Sequence, residues 1–213
     1  MIELLLENMN YCDIIIIRGD DMLIVELGLQ LNKSYIYYEN MLKEHGLECV
    51  FECTTHDIYF SNNDFSNIDN MTEREIKESC IRVRQVNNGD FDIQNNKINK
   101  FKVKKVKPNK INKLETKLKK YGYIKVFDTI KFDHQWYKEG MTTRVQLQET
   151  KDVGLLVFLD NKEYYKYNLE EQRKKLIDEL NSYGFSFKYD DLGLDKLRTL
   201  YYRKEKYSKN QNE

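Results

Sequence analysis

Apolar residues follow two periods along this chain, and the switches between them mark its elements. Tyr35 to His45 carries the helical period; Gly46 closes it, and Leu47–Cys53 follows with strand character. The unit recurs twice. A helix from Asn112 stops at Gly122 before a strand over Tyr123–Phe132, and a helix from Asn168 stops at Gly184 before Phe185–Tyr189. Both later helices open with Asn-x-x-Glu, in which asparagine caps the orphan amides and glutamate reaches back to the cap. A shorter helix, Thr72 to Ser79, leads into Ile81-Arg82-Val83-Arg84. Further strands are predicted over Leu23–Leu31, Phe101–Lys104, Thr143–Gln148 and Leu155–Asp160. Asn87–Lys100 reads as a mobile, asparagine-rich hairpin connection. About eight strands with helices that do not alternate with them argue against a doubly wound parallel sheet. An antiparallel sheet closed or nearly closed on itself fits best.

Residues two apart in a strand share a face. Arg82 and Arg84 share one, Lys102 and Lys104 another, and Arg144, Gln146 and Gln148 a third. Thr129, Lys131 and Asp133 share a fourth, opposite Ile130 and Phe132. Two guanidiniums on one face repel unless water or an anion lies between them, and arginine's planar fork suits carboxylate or phosphate. If the polar faces look outward, Ile81, Val83, Val103, Val145 and Leu147 form an ordinary core. If they look inward, helices must cover the apolar backs of the strands. Leu169, Leu176, Ile177 and Leu180 give the last helix an apolar side for that task, and the inward arrangement is expected.

Composition narrows the partners. The chain has 213 residues, 33% of them charged, with 35 basic and 35 acidic side chains. Zero net charge gives no long-range pull toward nucleic acid or a membrane surface, but it permits a local basic cavity. No apolar run reaches the roughly 18 residues of a spanning helix. Residues 1–18 lack the basic start and cleavage site of a secretory leader, so a cytoplasmic location is expected. Cys12, Cys49, Cys53 and Cys80 are expected to be reduced, packed thiols; there is no second cysteine pair or paired histidines to complete a zinc site. A single proline and abundant asparagine, isoleucine, lysine and tyrosine point to an AT-rich genome as much as to function. P-loop, Gly-x-Ser-x-Gly and His-Glu-x-x-His patterns are absent.

The order of the pieces resembles the CYTH, or triphosphate tunnel, superfamily, which includes class IV adenylate cyclases, thiamine triphosphatases and inorganic triphosphatases. The resemblance runs from about Val25 to Tyr202. It is carried by His56-Asp57-Ile58-Tyr59-Phe60, Ile81-Arg82-Val83-Arg84, the lysine strand ending near Lys104, and the helix–Gly122–strand unit. Lys131 with Trp136 beyond it follows, then Asp152-Val153-Gly154 before Leu155–Asp160. The resemblance implies an α+β fold: an antiparallel eight-stranded β-barrel, the tunnel, with helices packed on its outside. One domain is expected over residues 1–213, with 1–20 an N-terminal extension and 204–213 a frayed tail. The tunnel interior would hold a phosphate chain on Arg82, Arg84, Lys104, Lys131 and Arg144. Glu26 and Asp160 would hold Mg2+ or Mn2+, if any metal is bound.

The acidic half of that machinery is depleted. The family's opening Glu-x-Glu-x-Lys stands here as Glu26-Leu27-Gly28-Leu29-Gln30. Glu3 and Glu7 are spaced four apart rather than two, and lie far from His56. The family's closing Glu-x-Glu becomes Phe158-Leu159-Asp160. An aspartate before the Val-Gly turn becomes Gln148, and an arginine two after Lys131 becomes Asp133.

Three functions follow, with catalytic residues left open. The first is a tunnel protein that binds a nucleotide, polyphosphate or other triphosphate with weak or lost catalysis. The second is an active, divergent, metal-dependent triphosphatase or adenylate cyclase. The third is a non-catalytic partner-binding scaffold, for which 16 tyrosines would suit an interface. A homodimer is carried as an option; a membrane partner is not. His134 and His56 read as ordinary strand histidines outside the site, Asp57 as a holder of local hydrogen bonds, and Gly154 as a turn or a close backbone approach.

Overall fold

The alternating segments form nine strands among the described residues of the computed structural model, which are 13–18, 22–63, 65–71, 73–93, 105–187 and 201–202. The strands are β1 (Asp13–Arg18), β2 (Met22–Gln30), β3 (Glu48–Ser61), β4 (Cys80–Val86), β5 (Phe91–Ile93), β6 (Lys105–Val106), β7 (Ile124–Tyr137), β8 (Thr143–Thr150) and β9 (Gly154–Asn161). The α-helices are α1 (Tyr35–Glu44), α2 (Glu73–Ser79), α3 (Ile111–Lys119) and α4 (Leu169–Ser182). The strand order is β1-β2-β9-β8-β7-β3-β4-β5-β6, so no hydrogen bonds join the two end strands among the described residues. The β1–β2, β2–β9, β3–β4, β4–β5 and β5–β6 pairs are antiparallel. The fold is therefore α+β with an antiparallel sheet.

The chain groups into two compact units. The first comprises residues 1–52, 133–149 and 154–195; the second comprises 53–132, 150–153 and 196–213. In the first, Leu29, Leu31, Val145, Leu147, Val157 and Leu159 pack against Tyr38, Met41 and Leu42 of α1 and Leu176 and Leu180 of α4. In the second, Ile58 and Phe60 of β3 and Ile81 and Val83 of β4 pack against Leu114 and Leu118 of α3. Within each unit, helices cover the apolar backs of the strands. Tyr38 and Leu42 are completely buried, and burying each such side chain stabilises the fold by roughly 1.5–3 kcal/mol.

Several local expectations change. Leu47–Cys53 is only the start of β3, which runs unbroken through His56 and Asp57. Asn168 caps α4 as predicted, accepting from the Glu171 amide at 2.9 Å. Asn112 does not cap α3: a 3-10 turn over Pro108–Lys110 already opens it, and the helix starts at Ile111. Proline fixes the first turn without needing a donor, so the helix begins ahead of the capping signature. The connection after β4 opens with a tight turn, with Asn87 and Asn88 at φ 47° and 59°, and returns as β5. Asp13–Arg18, inside the expected extension, pairs with β2. Phe187 makes an isolated bridge to Leu31, and 188–189 lie outside the described residues. Cys80 is buried, whereas Cys49 is exposed rather than packed. Among the described residues, no helix is long and apolar enough to cross a membrane. Cys12, Phe101–Lys104 and 204–213 lie outside the described residues.

Candidate functional site

The β3–β4 ladder places Asp57 opposite Arg84 and Tyr59 opposite Arg82. These four residues share one face, and Ile58, Phe60, Ile81 and Val83 share the other. With α3 on the apolar face, the arginines are left on the polar one. Thr129 and Lys131 of β7 are likewise buried, while Phe132 between Lys131 and Asp133 is exposed.

Three cations converge on one carboxylate. The Asp57 side chain is fully buried. Arg84 donates to it side-on, Nε to Oδ1 at 2.7 Å and Nη2 to Oδ2 at 2.8 Å. Lys131 Nζ also donates to Oδ2. Arg82 Nε lies 3.3 Å from Oδ1 at an angle that makes no hydrogen bond, so this buried N–H remains an unused donor. Thr129 Oγ1, on the Lys131 face of β7, is also buried without a hydrogen-bond partner. The Arg82 and Arg84 side chains are each 28% exposed, enough to meet a solute. Tyr59 and Phe127 on the same face make an edge-to-face contact at 6.0 Å.

Asp57 thus holds more than local hydrogen bonds. Its partners are 27 and 74 residues away in sequence. It fixes the guanidinium of Arg84 and the ammonium of Lys131 in place.

The other unit has its own polar face. Arg144 is exposed, with Nη1 3.4 Å from Gln135 Oε1. It lines a cavity of about 530 Å3 with Lys162, Gln135, Gln146, Tyr137 and Phe158. Next to Arg144 on β8, Gln146 and Gln148 both donate to Asp133 Oδ1, at 2.6 and 2.5 Å. Two departures from the tunnel pattern, Asp133 and Gln148, are therefore partners.

The acidic positions are coupled in the same way. In the β2–β9 ladder Gly28 is paired with Phe158. A Cβ on Gly28 would lie 2.7 Å from Phe158 Cε1, so the ring fills the space of the missing side chain. Glu26 and Asp160 are the next positions beyond the last pair, Leu27 with Leu159, and their side chains lie outside the described residues. A glycine and a phenyl ring at the neighbouring rung offer no metal-ligand atom. Gly154 has the positive φ of a turn, 121°; the atom a Cβ there would meet, Gln30 Nε2 at 3.1 Å, belongs to a side chain and not to the backbone.

Of the predicted phosphate ligands, Arg82, Arg84 and Lys131 come together. Arg144 belongs to the cavity of the other unit, and Lys104 lies outside the described residues. Sequence reasoning missed Asp57 as the organiser and Lys162 as a second cation beside Arg144. His56 Nε2 contacts Asp128 at 2.7 Å and His134 Nδ1 contacts Glu52 at 3.0 Å, so each histidine is engaged with a carboxylate of its own unit.

No family model and no curated protein matches the chain. Among solved structures, PH1012 from Pyrococcus horikoshii OT3 is similar with a TM-score of 0.48 and 15% identity, over 76% of this chain and 91% of its own. PH1819 from the same organism gives 0.45 and 18%, over 76% and 92%. The conserved hypothetical protein Pfu-838710-001 from Pyrococcus furiosus gives 0.47 and 14%, over 76% and 91%.

Proposed function

We propose that this chain is a tunnel-type protein that binds the phosphate chain of a nucleotide or polyphosphate, with catalysis weak or lost. The observation that carries the reading is the Asp57 cluster: two arginines and a lysine around one buried carboxylate, with the Arg82 Nε donor unused. Two part-exposed arginines, one with an unused Nε donor, favour a polyanion in a partly desolvated setting, because opposite charges interact more strongly there than in bulk water. Arg144 and Lys162 give the cavity of the other unit the same preference. Its volume suits a small organic ligand. The location proposed is cytoplasmic, where nucleotides and polyphosphates are plentiful.

Loss of turnover is inferred from the acidic positions. Two-metal phosphoryl chemistry needs carboxylates that clamp both ions. The Gly28–Phe158 pair occupies the rung where a second set would stand. Glu26 and Asp160 would hold a single Mg2+ or Mn2+, whose chemistry would be to neutralise phosphate charge. Phosphorus NMR of tripolyphosphate and ATP with the protein, with and without Mg2+ or Mn2+, tests the reading. Shifted or broadened ligand resonances with no product accumulating support it. Unperturbed resonances at millimolar concentrations, or steady metal-dependent product release, overturn it.

A further inference from the structure

Cys49 and Glu52 of β3 and His134 of β7 form a cluster within one unit, separate from the Asp57 cluster. Glu52 Oε1 lies 3.0 Å from His134 Nδ1 and 3.7 Å from Cys49 Sγ. One ligand atom from each of the three residues lies within 4.8 Å of the other two. A tetrahedral zinc ion, with Zn–S of about 2.3 Å and Zn–N and Zn–O of about 2.0–2.2 Å, spaces its ligand atoms by about 3.3–3.7 Å. Small side-chain rotations therefore bring these three groups to coordination distance.

We propose that Cys49, Glu52 and His134 bind a borderline-soft divalent cation such as zinc, with water in the fourth position. Thiolate, imidazole and carboxylate are the donor types such an ion takes, and sites with three protein ligands keep one position open. Solvent reaches that position, since Cys49 is exposed and the Glu52 side chain is 66% exposed. His134 is less free: its side chain is 18% exposed, and the Tyr35 ring sits 4.6 Å away. That ring contact restrains the imidazole. The alternative is a solvent-exposed Glu52–His134 ion pair with Cys49 as a bystander.

Titrating Co2+ into the reduced chain, followed by absorption, separates the two. The site predicts one equivalent bound, intense d–d bands of tetrahedral geometry, a thiolate-to-cobalt band and displacement by Zn2+. Cys49→Ser removes the thiolate band, His134→Ala and Glu52→Ala weaken binding by at least about tenfold, and Cys53→Ser changes neither. Glu52 and Cys49 lie on exposed strand surface, so these variants keep the fold, checked by circular dichroism. Weak octahedral bands only, or a thiolate band that survives Cys49→Ser or vanishes in Cys53→Ser, overturns the proposal.

Discussion

Gln148 donates its side-chain amide to Asp133 at 2.5 Å, and both side chains are buried. Gln146 adds a second amide at 2.6 Å. A buried carboxylate costs little when amides satisfy it and much when they do not. Gln148→Ala should therefore lower stability by about 1–3 kcal/mol in urea denaturation. Asp133→Arg combined with Gln148→Asp should lie closer to wild type than the sum of the single changes, with coupling above about 0.5 kcal/mol. Strict additivity would show that the two side chains are not energetically coupled.

Gly28 and Phe158 make the same point by volume. A side chain at 28 meets the ring at 2.7 Å, under any real Cβ contact. Gly28→Ala should cost about 1–3 kcal/mol by overpacking. In a Phe158→Ala background the same change should cost well under 1 kcal/mol, because the space is open. Equal costs in both backgrounds would contradict the pairing.

Asp57 organises its unit by charge. Removing one partner of a buried ion pair leaves uncompensated charge and typically costs about 3–5 kcal/mol. Asp57→Asn should fall in that range and should recover more melting temperature on adding tripolyphosphate than wild type does. Scanning calorimetry with and without the anion reads both effects. A stability loss below about 1 kcal/mol, or equal anion effects, would mean that Asp57 is not the counter-ion of the cluster.

Cys80 gives stability a pH dependence. Burial pushes its thiol from 9.0 up to about 11. Between those values the folded chain keeps a proton that the unfolded chain has released, so stability falls as pH rises through that window and is fully present below it. Denaturation midpoints measured below pH 9 and toward pH 11 should diverge more for wild type than for Cys80→Ala. Identical pH profiles would remove Cys80 as the cause.

The sequence was readable where its signals are local. Asn168 caps α4 because the asparagine, the amide it serves and the glutamate lie within four residues. That Arg82 and Arg84 share a face followed from period-two alternation, but the helix that covers Val83 is α3, through Leu114 and Leu118, and not the last helix from which the facing was argued. What could not be read depends on register. Asp57 meets Arg84 only because β3 and β4 pair as they do, and Lys131 joins from 74 residues away. Cys49 and Glu52 would fall on opposite faces of a regular strand, so their contact is visible only in coordinates. Asn112 misled for a local reason: its capping signature is intact, but Pro108 had already opened the turn.

The most direct measurement is calorimetric titration of tripolyphosphate into wild type, Arg82→Ala and Arg84→Ala. Each arginine that meets phosphate contributes a charge-assisted hydrogen bond worth about 1.5–3 kcal/mol. Wild type should bind, and each variant should bind at least about tenfold more weakly. Absence of binding at millimolar tripolyphosphate, or equal affinity in all three proteins, would contradict the account.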